Sequence, residues 1–176
     1  MFFTQSEQYE SIVRGQHGRP DYYPEPEDTG SLMFFIQRNK NTNTVIYEAN
    51  VKSDGLLDLN DPIRISWISF EENEKQYTKE LNYIQEKLAY GCRTEVISGD
   101  LIRFRFVAYD KIEFFMARRE TGKFKVYLAH EKSRIELKMI YIYAEDLGVF
   151  PLVKFAEFFG TDTATGDRFY KKLILE

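Results

Sequence analysis

The segment from Ile102 to Met116 constrains the fold most, because apolar and polar residues alternate there with a period of two. Ile102, Phe104, Phe106 and Ala108 alternate with Arg103, Arg105 and Val107, and Ile112, Phe114 and Met116 alternate with Glu113, Phe115 and Ala117. Successive side chains of a strand point to opposite faces, so each set lies on one face and a hairpin joins the two strands. A two-residue loop at Asp110–Lys111 would set Phe104 and Phe106 against Glu113 and Phe115. A three-residue loop, Tyr109 to Lys111, unites the apolar sets, and it is favoured because a one-residue slip exchanges core and solvent faces.

The same reading extends along the chain. Leu32 to Ile36 is apolar, and Val45, Tyr47, Ala49 and Val51 alternate with Ile46, Glu48 and Asn50. A hairpin with Phe34 and Ile36 on the face of Val45, Tyr47 and Ala49 requires an even loop, expected at about four residues within Asn39 to Asn43. Asp54-Gly55 marks a turn. Ile63, Ile65 and Trp67 share one face of a third strand ending near Phe70, and the charged stretch Glu71 to Lys75 breaks the pattern. Thr121-Gly122 leads into Phe124, Val126 and Leu128; Glu131 to Arg134 turns again; and Ile135 to Tyr143 reads as a central strand covered on both faces. Two further strands, Val153–Phe159 and Phe169–Leu175, flank the turn from Gly160 to Asp167.

Tyr77, Leu81, Ile84 and Leu88 recur at spacings of four, three and four, which predicts one amphipathic helix over about 77–90, with Gly91 as its left-handed stop. The expected fold is therefore α+β and predominantly antiparallel β, with nine or ten strands in a partly closed barrel or a sandwich. Residues 14 to 30, rich in Pro and Gly and lacking periodicity, predict an extended N-terminal arm over 1–30 and a single β-rich domain over 31–176.

Composition excludes several function classes. A net charge of −4 argues against a nucleic-acid partner, because such affinity comes mainly from Lys and Arg displacing counterions. Cys92 is the single cysteine, so no intrachain disulfide forms, and with only His17 and His130 beside it no metal site and no cofactor are expected. No apolar run reaches the ~18 residues of a membrane span, and the opening residues lack a basic, then apolar, leader pattern. A cytoplasmic location is the expectation.

The stretch Phe35-Ile36-Gln37-Arg38-Asn39-Lys40-Asn41, followed by Val45-Ile46-Tyr47-Glu48-Ala49-Asn50, resembles the opening signature of the domain of unknown function 4833 family. Trp67-Ile68, Leu81-Asn82-Tyr83-Ile84-Gln85 with Ala89-Tyr90-Gly91, Phe106-Val107-Ala108-Tyr109, and Glu157-Phe158-Phe159-Gly160 with Thr165-Gly166 resemble its remaining blocks in the same order. The resemblance runs from about Ser31 to the C-terminus and implies no activity. It associates some members with bacterial envelopes and a leader, which the sequence as given does not show.

Candidate ligand residues are the amide, guanidinium and charged groups around the first hairpin: Gln37, Arg38, Asn39, Lys40, Asn43, Glu48 and Asn50. They could recognise a sugar, carboxylate or phosphate by directional hydrogen bonds, or serve the turn and cross-strand pairs instead. Asn82 and Gln85, three apart beside the helix stripe, could bind backbone groups or reach a pocket. Trp67 could stack on a sugar or fill the core. Arg103 and Arg105 on the non-core side make a small basic surface or a solvated face.

No nucleophile elbow, P-loop, dinucleotide fingerprint or zinc-protease motif is present in the sequence. Glu48, Glu113 and Glu157 are the carboxylates a hydrolase could use. Cys92 follows a helix end, where the dipole disfavours a thiolate. The leading expectation is a noncatalytic binding module for a small polar ligand, glycan or peptide, against a hydrolase-type enzyme in the same cleft. An exposed edge strand forming a homo-oligomer is the third.

Overall fold

A computed structural model describes residues 25–39, 41–70, 76–146 and 151–175. Residues 1–24 of the expected arm, Lys40 and the break Glu71–Lys75 lie outside the described residues. The strands are β1 (Leu32–Arg38), β2 (Asn41–Ala49), β3 (Ile63–Phe70), β4 (Gln76–Glu80), β5 (Cys92–Ser98), β6 (Leu101–Phe106), β7 (Phe114–Arg118), β8 (Phe124–His130), β9 (Ser133–Asp146), β10 (Pro151–Asp162) and β11 (Arg168–Ile174). Nine follow one hydrogen-bonded path, β4-β3-β2-β1-β9-β8-β7-β6-β5, while β10 and β11 lie off it. The sheet is mixed and curls into a half-barrel.

The long strand β9 organises this arrangement. On one edge it pairs with β10 over Ile135 to Asp146. On the other it pairs first with β8, over Ser133 to Glu136, and then in parallel with β1, over Met139 to Ile142. Two wings, β1–β4 and β5–β8, therefore spread from successive stretches of one strand. Where one neighbour gives way to the next, Lys138 is an extra residue in β9: Phe159 pairs with Met139 and Gly160 with Leu137. A bulge of this kind bends its strand and raises the local twist.

The wings bury their inner faces against each other. Phe34 of β1 lies 6.3 Å from Phe104 and 6.1 Å from Phe106 of β6, and Tyr47 of β2 meets Phe106 edge-on at 5.7 Å. Phe34, Ile36, Val45, Tyr47, Ile102, Phe104, Phe114, Met116, Val126, Ile135 and Leu137 join one buried cluster. Phe35, Ile46, Ile68, Met139, Tyr141 and Phe159 form a smaller one on the opposite face. Hence β9 contributes to both clusters, as its continuous apolar run implied.

Both hairpin registers follow the apolar pattern, but both loops differ in length. Phe34 pairs with Tyr47 and Ile36 with Val45, yet Arg38 pairs with Asn41, because a register shift after Ile36 absorbs residues of β2 and leaves only two positions, 39 and 40, between the strands. Ile102 pairs with Met116 and Phe104 with Phe114, the face assignment that favoured the odd loop, while the connection itself spans residues 107–113.

The helix expected over 77–90 is the main correction. Gln76–Glu80 pairs with β3 as a strand, and only residues 83–90 are helical, with Gln85–Tyr90 a π-helical turn that has no buried residue. The 4-3-4 stripe failed because nothing lies beneath it: Ile84 and Leu88 are 65% and 68% exposed. Gly91 is extended (φ −64°, ψ 159°), so it is not a left-handed stop. It is required sterically, since a Cβ there would overlap the Glu86 carbonyl oxygen.

Candidate functional site

The half-barrel is open where its wing tips face each other. A cleft of about 680 Å³ lies between β3–β4 on one side and the start of β5 on the other, with the helical turn between them. Arg64, Ser66, Thr78 and Glu80 line one wall, Cys92, Arg93 and Thr94 the other, with Glu86 and Lys87 from the turn. A second notch of about 80 Å³ adjoins it, because Leu81 lines both.

The structure gathers several of the expected residues here and disperses others. Arg38, Asn43, Trp67 and Gln85 share the notch with Val45 and Tyr90. Trp67 is half-buried against the main core and carries the Lys79 ammonium 5.1 Å from its ring centre, a cation–π contact. Glu48 lines the larger cleft. One of its oxygens accepts from the Thr29 hydroxyl at 3.0 Å and the Ser31 hydroxyl at 2.8 Å. The other accepts from Arg64 Nε and Nη2 at 3.3 and 3.2 Å. Glu48 thus ties the chain before β1 to β3.

The remaining candidates hold the fold. Gln37 is fully buried and donates to the Thr44 hydroxyl at 3.2 Å. Asn39 donates from Nδ2 to the Ala144 carbonyl at 2.8 Å and accepts the Ala144 N–H at 2.9 Å. Its amide thus continues the β1–β9 ladder beyond the last paired residue. Asn50 donates to the Asp61 carbonyl at 2.7 Å and closes the loop before β3. Asn82 and Gln85 cap the helical turn reciprocally: Asn82 Oδ1 accepts the Gln85 N–H at 2.9 Å and Gln85 Oε1 accepts the Asn82 N–H at 3.0 Å. This is capping-box geometry, with Asn in the place of Ser or Thr. Lys40 lies outside the described residues.

Arg103 and Arg105 project from the non-core side, but their charge is matched. Glu95 accepts from Arg103 Nη2, Glu113 accepts from Arg105, and Arg119 pairs with Glu136 at 3.3 Å. The Arg105 hydrogen bond holds the Glu113 carboxyl below its ordinary range. The surface is a ladder of alternating charge rather than a basic patch.

The proposed hydrolytic carboxylates do not converge on the cleft. Only Glu48 lines it; Glu113 belongs to the charge ladder, and Glu157, 1% exposed on β10, accepts the Tyr170 hydroxyl proton at 2.8 Å. Burial pushes the Cys92 thiol well up, so the neutral thiol dominates at neutral pH. Among the described residues no cluster of three or more His, Cys, Asp or Glu could hold a metal ion.

A family model described as Domain of unknown function (DUF4833) matches residues 34–172. The chain belongs to the DUF4833 family. The matched stretch covers β1 through nearly all of β11, so both wings and the cleft between them are part of the family domain. No curated protein and no solved structure matches the chain. Among the described residues no helix is long and apolar enough to cross a membrane.

Arg64, Arg93 and Thr78 escaped notice in the sequence. They belong to no motif, and they become a site only because β4 and β5, unread as strands, bring two wing tips together. The one available signal was on β3, where the alternation of Ile63, Ile65 and Trp67 places Arg64 and Ser66 on the other side.

Proposed function

We propose that residues 31–176 act as one noncatalytic binding domain that seats a small polar ligand, glycan or short peptide in the mouth of the half-barrel. The observation that carries this reading is the cleft of about 680 Å³. Its volume lies within the range of small-molecule sites, and both walls present charged and hydroxyl groups. Arg64 is bound to Glu48 on one side of its guanidinium and is 59% exposed, which leaves donors to meet an anionic or hydroxyl-rich ligand. The notch extends the seat toward Trp67, whose ring a guest could approach only by displacing the Lys79 ammonium that lies over it.

Binding is favoured over hydrolysis because Glu48 has both oxygens committed to Thr29, Ser31 and Arg64, and the other carboxylates that line the cleft, Asp61, Glu80 and Glu86, are solvent-exposed rather than held in a dry pocket. A general acid or base must be able to exchange a proton with substrate. The test uses Trp67, the single tryptophan, as an internal reporter. The full chain is screened by thermal shift against neutral and acidic oligosaccharides and short peptides, with hits titrated by tryptophan emission. A hit is expected to raise Tm and shift emission in the wild type, and to lose most of its effect in Thr78→Phe, which fills the cleft wall and leaves Trp67 the single reporter. If no compound stabilises the fold, or Thr78→Phe responds unchanged, the reading fails.

A further inference from the structure

We propose that β5 is a dimerisation edge, on which two copies of this chain pair their β5 strands antiparallel about a two-fold axis at Thr94. Cys92, Arg93 and Thr94 also form one wall of the cleft, so the two readings share residues, but the dimer is tested by solution mass without any ligand and stands or falls separately.

Three strands leave an edge without a neighbour among the described residues: β4, β5 and β11. Edges of this kind recruit other chains unless charge, proline or brevity protects them. β11 carries the consecutive Lys171 and Lys172, and β4 is five residues long with Lys79 in it. β5 has seven residues, CRTEVIS, without Pro, and its two charges, Arg93 and Glu95, are of opposite sign, so they repel an unrelated strand less than the lysines of β11 do; from Arg93 to Ser98 every residue is exposed. Val96 and Ile97 are 44% and 43% exposed, and the preceding turn adds the exposed Leu88.

The order of side chains on β5 selects a second copy as the partner. Arg93 sits directly opposite Arg105 of β6, a like-charge pairing, and Arg105 is already matched by Glu113. No ion pair to Arg93 is found among the described residues. Glu95, two residues on, lies on the same face and already accepts from Arg103 Nε and Nη2 through one oxygen, so the partner copy's Arg93 would share this carboxylate with Arg103. Antiparallel pairing centred on Thr94 places Arg93 of each copy opposite Glu95 of the other and Cys92 opposite Val96. Each face of the joined sheet then continues its own chemistry, charged on one side and apolar or hydroxyl on the other. A one-residue shift would lay Arg93 against Val96 and exchange the faces, so the register is specified. An isologous contact needs this self-complementarity, and β5 possesses it.

The test is solution mass by light scattering on the full chain, with circular dichroism confirming that each variant folds. The wild type is expected at twice the 20.9 kDa chain mass. Arg93→Glu sets two carboxylates against each other at each cross-strand pair, and Glu95→Arg sets two guanidinium groups against each other, so each variant alone is expected at the chain mass. An equimolar mixture of the two variants forms a heterodimer with opposite-charge neighbours only if the introduced carboxylate meets the introduced guanidinium, which this register provides, and it is expected to return to twice the chain mass. A wild type that stays at the chain mass throughout the micromolar range overturns the proposal, as does a single variant that remains dimeric or a mixture of folded variants that fails to associate. A monomer that binds added peptides along β5 also overturns it.

Discussion

The side chain of Asn39 brackets the backbone of Ala144, donating to its carbonyl at 2.8 Å and accepting from its N–H at 2.9 Å across 105 positions of sequence. All four groups are buried, so the amide substitutes for a peptide unit where the parallel pairing of β1 and β9 runs out. Asn39→Ala orphans both Ala144 groups, and an unsatisfied buried polar group costs about 1–3 kcal/mol. The expected loss is about 3 kcal/mol by urea unfolding, with faster exchange of the Ala144 amide proton. A change under about 0.5 kcal/mol would show that the bracket carries no weight.

Glu48 makes an opposite claim on the same hairpin: a ligand candidate by residue type, it emerges as a tie. Charge-assisted hydrogen bonds contribute about 1.5–3 kcal/mol each when desolvated, and less where a partner such as Arg64 is exposed. Glu48→Ala is expected to cost about 2 kcal/mol and to speed proteolysis around Thr29–Ser31. Should stability hold while ligand binding disappears, Glu48 belongs to the site instead.

Gly160 lies across from the bulge at Lys138, and a Cβ on it would overlap the Glu136 carbonyl oxygen and come within 2.9 Å of Ile135 Cγ2. Backbone cannot yield as a side-chain tip can, and overpacking of this kind costs about 1–3 kcal/mol. Gly160→Ala is expected at the upper end, measured as a fall in Tm, whereas alanine at the exposed turn residue Ser53 should cost far less. Equal losses at the two positions would remove the steric argument.

Alkaline stability follows from two buried acids. Burial raises the folded-state value of the Tyr47 hydroxyl, which donates to the Tyr90 carbonyl at 2.8 Å, and likewise that of the Cys92 thiol. Folded values above the unfolded ones mean that stability is full below the unfolded values and is lost as pH rises from there through the folded ones. Ionisation of the unfolded chain begins near about pH 8.5 for cysteine and about 10 for tyrosine. The urea midpoint should fall from about pH 8.5 upward, and Cys92→Ser should delay the onset toward about pH 10. An unchanged onset in Cys92→Ser would refute the role of the thiol.

Much of the fold was readable because period two survives wherever one face is buried and the other wet. Ile102 to Met116 showed which residues share a face, although the pairing sits two residues from the one a Tyr109–Lys111 loop gives, and the apolar run to Tyr143 announced a strand shared by two cores. Tyr77 to Leu88 misled because helical spacing was present without any surface to bury it, and a stripe with no partner is not evidence of a helix. The cleft was unreadable for a different reason. Arg64 and Arg93 come to line one cleft only through the curl of the whole sheet, just as Asn39 finds Ala144 only after β9 is in place.

The hand-over on β9 has a mechanical consequence. Glu136 is the last residue held by β8 and Met139 the first held by β1, so Leu137 and Lys138 act as a pivot with an arm on either side. The arms end at β4 and β5, the lips of the cleft. Their separation depends both on the bend at this pivot and on the Phe34, Tyr47, Phe104 and Phe106 contacts that tie the wings together, so a substitution at Gly160 that alters the bend should move the lips only as far as that shared core gives.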